Sequence, residues 1–286
     1  MSDPVFPPEI EYVIFMGAFS IKEIGESAVN LVLVARRVHL WLIPKLTETF
    51  ATRTFRPAQK YPASWDVDIL SKYGIHTKHL FIWISPLPSS PYYDPLAAEY
   101  ISLCPNLTDL VLWSAHSTDI SSDQLDQLAH LQALTHLSIN LKRIPSSAWE
   151  NPELVRLFKK ITHLHSVAHF SCKEDIDMFE RFTSITHLTF YPNNESLVAL
   201  LLTKLPASLE VLVILEGHYA DIDRISTDKP SVGDSRVINI ACQADKQLDE
   251  WLLDVQKGQG IWGLADQAVR ERKKIQEGLD LRKEID

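Results

Sequence analysis

The chain has little of several features that common catalytic sites require. Nine glycines in 286 residues are a poor supply for loops that cradle phosphate groups, and the pattern G-x-x-x-x-G-K does not occur. The patterns G-x-S-x-G and H-E-x-x-H are also absent, so neither a serine-hydrolase elbow nor a zinc-protease helix is indicated. We therefore expect no cofactor, and an enzyme is the less favoured class.

Cysteine is scarce as well. The three cysteines, Cys104, Cys172 and Cys242, are odd in number and far apart, and none forms a C-x-x-C pair. Neither a disulfide framework nor a zinc knuckle is indicated. A reducing compartment is therefore expected, which means the cytoplasm or the nucleus.

Basic residues and long apolar runs are also lacking. Acidic residues number 37 against 28 basic ones, and the formal net charge of −9 does not favour a nucleic-acid partner. No uniform apolar run reaches the roughly 18 residues of a membrane span. The first residues carry no basic flank before an apolar stretch, so we expect no signal peptide and no membrane partner.

What the chain does contain is a repeated leucine pattern. The stretch LCPNLTDLVLW at residues 103–113 carries leucines at the spacing L-x-x-L-x-L. The template fits seven times at intervals of 24 to 30 residues, close to the period of about 20 to 29 residues in leucine-rich repeats. The second leucine position is occupied in turn by Leu80, Leu110, Leu137, Leu164, Leu188, Leu212 and Ile238.

Helical patterns separate these predicted strands. Residues 121–131 have apolar side chains at helical spacing behind serine and aspartate cap candidates, and residues 194–205 predict another short helix that Pro206 ends. The fold class is therefore α/β, a leucine-rich-repeat solenoid of about seven irregular strand–helix repeats with a curved parallel sheet. We place the solenoid at residues 56–244, between a helical segment at 1–55 and a helical cap with a charged tail at 245–286.

Residues between the template leucines are expected on the concave face, where solenoids usually bind partners. This face carries a column of histidines on adjacent strands together with several aromatic side chains. The predicted partner-binding residues are His79, Phe81, Trp83, Asp109, Trp113, His136, Asn140, His163, His165, His187 and Tyr191. A partner or the C-terminal tail should cover the apolar outward positions of the last two strands, which are Val211, Val213, Leu215, Val237 and Ala241.

The histidine column permits three interpretations. Imidazoles on adjacent strands, about 4.8 Å apart, could form a metal site or a pH-sensitive surface. They could also be a tolerated Thr-His pair that repeat duplication has copied. We favour the last interpretation and predict no metal site, because no carboxylate or cysteine accompanies three of these histidines in a metal-binding pattern.

The N-terminal segment predicts two or three short amphipathic helices. Its opening, Phe6-Pro7-Pro8-Glu9-Ile10, is similar to the L-P-x-E-I/L opening of an F-box. Residues 30–41 (NLVLVARRVHLW) resemble the next part of that motif, and residues 44–50 (PKLTETF) resemble its closing segment. With the phrase LCPNLTDL, the chain most resembles the divergent F-box-like proteins with leucine-rich repeats that are abundant in mushroom-forming (basidiomycete) fungi.

This resemblance implies a substrate receptor of a cullin-based, SCF-type ubiquitin ligase. Its N-terminal helices would dock a Skp-type adaptor protein, and its concave face would bind the protein substrate. The adaptor-binding residues implied are Phe6, Pro7, Ile10, Ile14, Leu31, Val34 and Leu42. Two alternatives stay open: a non-ubiquitin interaction scaffold whose N-terminal helices cap the first repeat, or an unrecognised enzyme that uses the histidine-lined face. We expect a monomer outside the ligase complex.

The C-terminal tail predicts two helices. The first has an apolar stripe and ends at Gly258, and its stripe consists of Leu248, Trp251, Leu252 and Val255. The second stripe consists of Ile261, Leu264, Ala268 and Ile275. The basic run RERKK at residues 270–274 is either a nuclear-import patch or a solvated helix face. We expect the tail to cap the last repeats and to fray into solvent.

One other cluster of reactive residue types deserves a structural test. Cys172 lies near His169 and Asp175 in the sequence, which superficially resembles a Cys–His pair. Proximity in sequence does not position a nucleophile against its base. We interpret the stretch as a strand-to-loop transition.

Overall fold

A computed structural model describes residues 6–20, 35–53, 64–84, 93–114, 119–192, 195–217, 225–226, 234–242 and 247–283. The strands are β1 (Thr49–Arg53), β2 (His79–Ile84), β3 (Asp109–Ser114), β4 (His136–Ile139), β5 (His163–Phe170), β6 (His187–Pro192), β7 (Val211–Gly217), β8 (Ile225–Ser226) and β9 (Val237–Cys242). The α-helices are α1 (Pro8–Ser20), α2 (Arg36–Leu46), α3 (Ser64–Tyr73), α4 (Tyr93–Leu103), α5 (Ser122–Ala129), α6 (Pro152–Phe158), α7 (Lys173–Asp177), α8 (Glu195–Lys204), α9 (Gln247–Lys257) and α10 (Ile261–Lys283). Within these ranges, no helix combines the length and the apolar character that crossing a membrane requires.

All of these strands belong to one sheet. Its strand order is β1-β2-β3-β4-β5-β6-β7-β9-β8, and every neighbouring pair is parallel except the short antiparallel pair of β8 with β9. Strands in sequence order lie side by side, and a helix follows most of them before the next strand. The predicted α/β class with a parallel repeat sheet is therefore confirmed.

The leucine template also sets the strand register. Leu110 pairs with both Leu80 and Leu137, and the row continues through Leu164, Leu188 and Leu212. All six leucines are buried, because they face the helices that return between strands. The prediction is wrong by one residue in the last repeat: Leu212 pairs with Val237, and Ile238 points to the other face.

The sheet begins earlier than the sequence indicated. Strand β1 lies inside the segment predicted to be helical up to residue 55, and Phe50 pairs with Leu80 at the template position. A phenylalanine in place of the leucine, within the polar stretch TETFATR, hid this strand from the template search. The parallel strands therefore number eight among the described residues, where seven were predicted.

Helices α3 to α8 cover one face of the sheet and share a single apolar core with its template leucines. Helix α5 shows how such a helix is capped at its N-terminus. Ser121 accepts a hydrogen bond from the Gln124 N–H, and the Gln124 side chain accepts one from the Ser121 N–H, which forms a capping box. The predicted helices at 121–131 and 194–205 are confirmed as α5 and α8.

A ladder of threonines explains why threonine precedes the first strand residue in successive repeats. Each hydroxyl donates to a backbone carbonyl of the preceding repeat, for example from Thr162 to the Thr135 oxygen at 3.3 Å and from Thr186 to the Thr162 oxygen at 3.2 Å. Thr108 and Thr135 make the equivalent bonds at 3.2 and 3.4 Å, and Thr77, one position earlier in its repeat, donates to the Thr47 carbonyl at 2.9 Å. These bonds tie adjacent repeats together beside the backbone ladder.

The two N-terminal helices pack on each other. Val38 and Leu42 of α2 are fully buried, and Phe15 of α1 is among the residues that cover them. Arg37 donates to the largely buried Glu11 of α1 at 2.7 Å. Two of the predicted short helices therefore exist, and they form a small helical pair with its own core.

The C-terminal helices lie on the opposite face of the sheet from α3 to α8. Helix α9 contacts β2 and β3, and α10 contacts β7 and β9. The prediction that the tail caps the last repeats is therefore wrong in part, because the two helices span the face that carries the histidine column. We call this side of the sheet the histidine face.

Candidate functional site: a cavity between the sheet and the C-terminal helices

Near β2 and β3, the histidine face is covered by Trp251 and Leu248 of α9. Phe81 and Trp113 are buried, and the Trp251 ring of α9 lies 5.3 Å from the Phe81 ring, centroid to centroid. The Trp251 indole N–H donates to Asp109 Oδ1 at 2.9 Å. Trp83 completes this cluster by packing edge-on to Trp113 at 5.9 Å.

At the other end of the face, α10 covers an apolar patch. The buried sheet residues of this patch are Val211, Val213, Leu215, Ile238 and Ile240, and the buried helix residues are Ile261, Ala265 and Val269. The expectation that the tail covers the apolar positions of the last strands is confirmed for β7. It is wrong for Val237 and Ala241 of β9, since the register shift turns Ile238 and Ile240 toward the helix instead.

Between these two contacts, the histidines form a stacked column. The rings of His136 and His163 are 4.0 Å apart and nearly parallel, and those of His163 and His187 are 4.1 Å apart. In each pair, Nδ1 lies within 2.8 to 3.0 Å of the hydroxyl of the preceding threonine. The Thr-His pair therefore makes the same local contact in each of these three repeats.

Burial favours the neutral form of His136, His163 and His165. Burial lowers the pKa of His136 to about 4, with smaller contributions from His79 and His187, and it lowers the pKa of His165 to about 4. The pKa of His163 is lowered further, chiefly by burial and then by the two imidazoles, His136 and His187, between which it stacks. Such rings are neutral hydrogen-bonding groups at pH 7.

Two carboxyl groups near the column have the opposite shift. Burial raises the pKa of Asp109 to about 7 and the pKa of Asp254 to about 6. A third carboxylate, Asp266 of α10, lies 3.0 Å from His187 Nε2. Carboxyl groups from β3, α9 and α10 are therefore brought to the same part of the histidine face.

These side chains enclose a cavity of about 40 Å³ that lies beside a wider cleft of about 280 Å³. Both are lined by Asp109, His136, His163, Asp254 and Trp262. The inner cavity also touches His165, Thr189 and Ser138, and the cleft also touches His79 and Asp266. A cavity of the inner size holds a few water-sized groups, and the cleft admits a larger molecule.

A glycine turn positions the helices that form this cavity. Gly258, Gly260 and Gly263 make a G-x-G-x-x-G pattern, which the search of the sequence missed. Gly258 has φ of +60°, and a Cβ at Gly260 or Gly263 would lie 2.2 or 1.8 Å from a backbone oxygen. The turn follows a helix rather than a strand, and the Asp254 carboxylate accepts the N–H groups of Trp262 and Gly263. The glycines therefore build a tight interhelical turn whose exposed N–H groups Asp254 already binds.

The other predicted residues of this face have local partners. Asn140 lies just beyond β4, where its side chain accepts from the Lys142 N–H. Tyr191 stacks on His165 at 6.3 Å. Because α9 and α10 cover the face, a protein partner would meet these helices first. Direct binding by the sheet residues stays a prediction that requires the helices to move away.

The predicted adaptor residues divide into three groups. Phe6, Pro7, Ile10 and Ile14 are exposed. Leu31 and Val34 lie outside the described residues. Leu42 is fully buried against α1, so its assignment to a contact surface is corrected, since it packs inside the helical pair.

The Cys172 region is structural. The Asp175 carboxylate accepts from the Ser171 and Cys172 N–H groups and from Lys142 Nζ at 2.9 Å, and these contacts hold the pKa of Asp175 down to about 2. The carboxylate thus caps α7 and pairs with Lys142. This agrees with the interpretation of the stretch as a strand-to-loop transition.

The cavity and cleft residues that were not predicted as site residues include four tail residues, Trp251, Asp254, Trp262 and Asp266, and the sheet residues Ser138 and Thr189. Trp251 was noticed as part of an apolar helical stripe. Its partner on β3 was hidden, because the two residues are 142 positions apart. The glycine pattern at residues 258–263 was the other sequence signal, because it indicates a tight turn between the two tail helices.

No protein-family model and no curated protein matches the chain. Among solved structures, the leucine-rich repeat-containing protein LegL7 from Legionella pneumophila is similar, at 18% sequence identity and a TM-score of 0.36. The match covers 61% of this chain and 57% of that chain, which is less than two thirds of its length. A likeness of this size carries no argument, and the leucine-rich-repeat class rests on the strand order and register of the chain itself.

Proposed function

We propose that the chain is a protein-interaction module of the leucine-rich-repeat class whose N-terminal helix α1 docks a Skp-type adaptor of an SCF-type ubiquitin ligase. The observation that carries this proposal is an exposed apolar surface on and beside α1. Its members are between 44% and 65% exposed and are Phe6, Ile10, Tyr12, Val13 and Ile14. Several exposed apolar side chains on one short helix are typical of a protein-binding surface.

The geometry of α1 favours docking over a capping role. Ile10, Val13 and Ile14 lie at i, i+3 and i+4, so they share one side of the helix. Phe15 and Met16 pack instead against α2. A helix that capped the first repeat would bury its apolar side against the sheet, but these three side chains are open to solvent.

The protein substrate of such a ligase receptor would bind the repeat region. The histidine face is the surface proposed for it, and α9 with α10 would be displaced or would themselves form part of the contact. This role needs no catalytic residue on the chain, because a receptor positions its substrate for a separate enzyme.

Co-purification of the full chain with a Skp-type adaptor tests the proposal. We expect the wild type to form a stable complex and the double variant Ile10→Asp, Val13→Asp to lose it, because two carboxylates would be buried at the contact. Ile75→Asp is the matched control, since Ile75 is 59% exposed but does not belong to α1, and its replacement should leave the complex intact. A folded wild type that ignores the adaptor would overturn the ligase proposal and favour an interaction scaffold.

A further inference from the structure

The cavity under the C-terminal helices presents an unusual set of polar groups. Asp109 uses Oδ1 to accept from Trp251, and among the described residues its second oxygen has no hydrogen-bond partner. Asp254 uses both oxygens to accept backbone N–H groups at the start of α10. Both carboxyl groups line the cavity, and Asp109 is the one that has an oxygen left to accept a hydrogen bond from a ligand.

The histidines add further acceptors. The Thr135 hydroxyl donates to the Thr108 carbonyl at 3.4 Å, so its oxygen is left to accept from the Nδ1–H of His136 at 3.0 Å. Thr162 and His163 repeat this arrangement, at 3.3 and 3.0 Å. The proton on Nδ1 leaves the Nε2 lone pair of each neutral ring as an acceptor, since a neutral imidazole carries one N–H. Both rings line the cavity and the cleft.

Positive charge is lacking where these acceptors meet. Among the residues that line the cavity and the cleft there are three carboxyl groups and no lysine or arginine. Burial of carboxyl groups without a cation is unfavourable, and it is the cause of the raised pKa values of Asp109 and Asp254. A bound cation would remove that cost.

A separate observation points to a ligand in the inner cavity. His165 Nε2 and Thr189 Oγ1 are buried, line the cavity and have no hydrogen-bond partner in the described structure. Thr189 is fully buried, and His165 is 9% exposed. Buried polar groups almost always have partners, so these two atoms call for a polar group inside the cavity.

We infer that this cavity binds a small organic cation, an alkyl amine or diamine. Its ammonium group donates hydrogen bonds to Asp109, His165 Nε2 and Thr189 Oγ1, and Nε2 of His136 and His163 are further acceptors in the same cavity. The ring of Trp262, which packs edge-on against His163 at 5.5 Å, provides an aromatic wall for the alkyl chain and the charge. A metal ion is the less suitable occupant, because among the described residues no three histidine, cysteine or acidic side chains have the arrangement to hold one.

The inferred site goes beyond the proposed adaptor function and does not depend on it. Its walls come from the sheet and from α9 and α10, so an occupant contacts both and stabilises the closed position of the C-terminal helices. Adaptor docking uses α1, which does not contribute to the cavity. The two proposals can therefore fail separately.

Calorimetric titration of the full chain at pH 7.5 with 1,4-diaminobutane tests the inference. 1,4-Butanediol is the matched neutral probe, because it has the same length and can form hydrogen bonds but carries no charge. We expect the diamine to bind and to raise the melting temperature, and the diol to do neither. This comparison uses the wild type alone and so does not depend on the folding of any variant.

Asp109→Asn provides the second arm. The asparagine carbonyl still accepts from Trp251, but the charge is gone, and we expect at least a tenfold loss of diamine affinity. Asp249→Asn removes one charge from the exposed side of α9 and should leave the affinity unchanged. The inference is overturned if the wild type does not bind the diamine, if the diol binds equally well, or if both variants bind the diamine like the wild type.

Discussion

Trp251 of α9 donates its indole N–H to the carboxyl group of Asp109 on β3, across 142 residues of sequence. This bond connects the last part of the chain to the second template strand. Around it, the Trp251 ring packs on Phe81. The C-terminal helices are therefore part of the folded core, and they determine what the histidine face can contact.

The apolar contact of α10 with the sheet should be sensitive to a buried charge. Ala265 is fully buried against β7 and β9, so Ala265→Asp should lower the free energy of unfolding by on the order of 3 kcal/mol and expose apolar surface to a hydrophobic dye. Gln267→Asp makes the same charge change on the exposed side of α10 and should change the free energy of unfolding by roughly 0.5 kcal/mol or less. Urea denaturation measures both, and equal effects would mean that α10 does not pack as described.

The threonine ladder gives a second prediction. Thr162→Val keeps the shape of the side chain but removes the hydroxyl that bonds the Thr135 carbonyl and His163, so unfolding should become easier by about 1 kcal/mol. Thr162→Ser keeps the hydroxyl and should retain most of the stability. If denaturant midpoints of the two variants coincide, the ladder contributes nothing.

The pH dependence of stability contains two opposing trends. Because the pKa of Asp109 is raised from 3.8 to about 7, its contribution to stability is full below pH 3.8 and is lost as the pH rises toward 7. Because the pKa values of His136 and His165 are lowered from 6.5 to about 4, their contribution is full above pH 6.5 and is lost as the pH falls toward 4. The carboxyl group thus offsets part of the histidine effect.

Asp109→Asn removes the offsetting trend. Between pH 6.5 and 5, the free energy of unfolding of this variant should fall more steeply than that of the wild type. Urea denaturation at half-unit pH steps measures both slopes. Equal slopes in the variant and the wild type would show that the Asp109 carboxyl group is either exposed or already paired with a cation.

The core of the repeats should tolerate truncation poorly. Leu164 is fully buried in the middle of the sheet, and Leu164→Ala should lower the free energy of unfolding by about 2 to 5 kcal/mol. Ile275→Ala on the exposed side of α10 should have little effect, since Ile275 is 64% exposed. Thermal denaturation of the two variants compares them directly, and a similar melting temperature would contradict the register of the leucine rows.

Much of the fold could be predicted because the leucine template is a local pattern with a physical cause. A leucine that faces the helices in one strand must align with its equivalent in the next, and the pairs from Leu80 to Leu212 do so. The pattern failed where the residue type changed. Phe50 replaced the leucine in β1, and in β9 the neighbours Val237 and Ile238 are both apolar, so alternation alone could not decide which faces the core.

The candidate site was less predictable. The sequence indicated that Trp251 belongs to an apolar helix stripe, but such a stripe does not say which surface it packs against. The histidines line the cavity and cleft on the predicted face of the sheet, whereas Asp254 and Asp266 reach the same place through long-range packing of the tail. A pattern search also cannot detect that burial has left His165 Nε2 without a partner.

A double-mutant cycle on Trp251 and Asp109 tests the central claim most directly, which is that the C-terminal helices are bound to the histidine face. Trp251→Phe, Asp109→Ala and the double variant would be compared with the wild type by urea denaturation. We predict a coupling energy of about 1 kcal/mol or more, because each single change breaks the same buried hydrogen bond. A coupling energy indistinguishable from zero would contradict the account, since it would mean that the two residues do not meet.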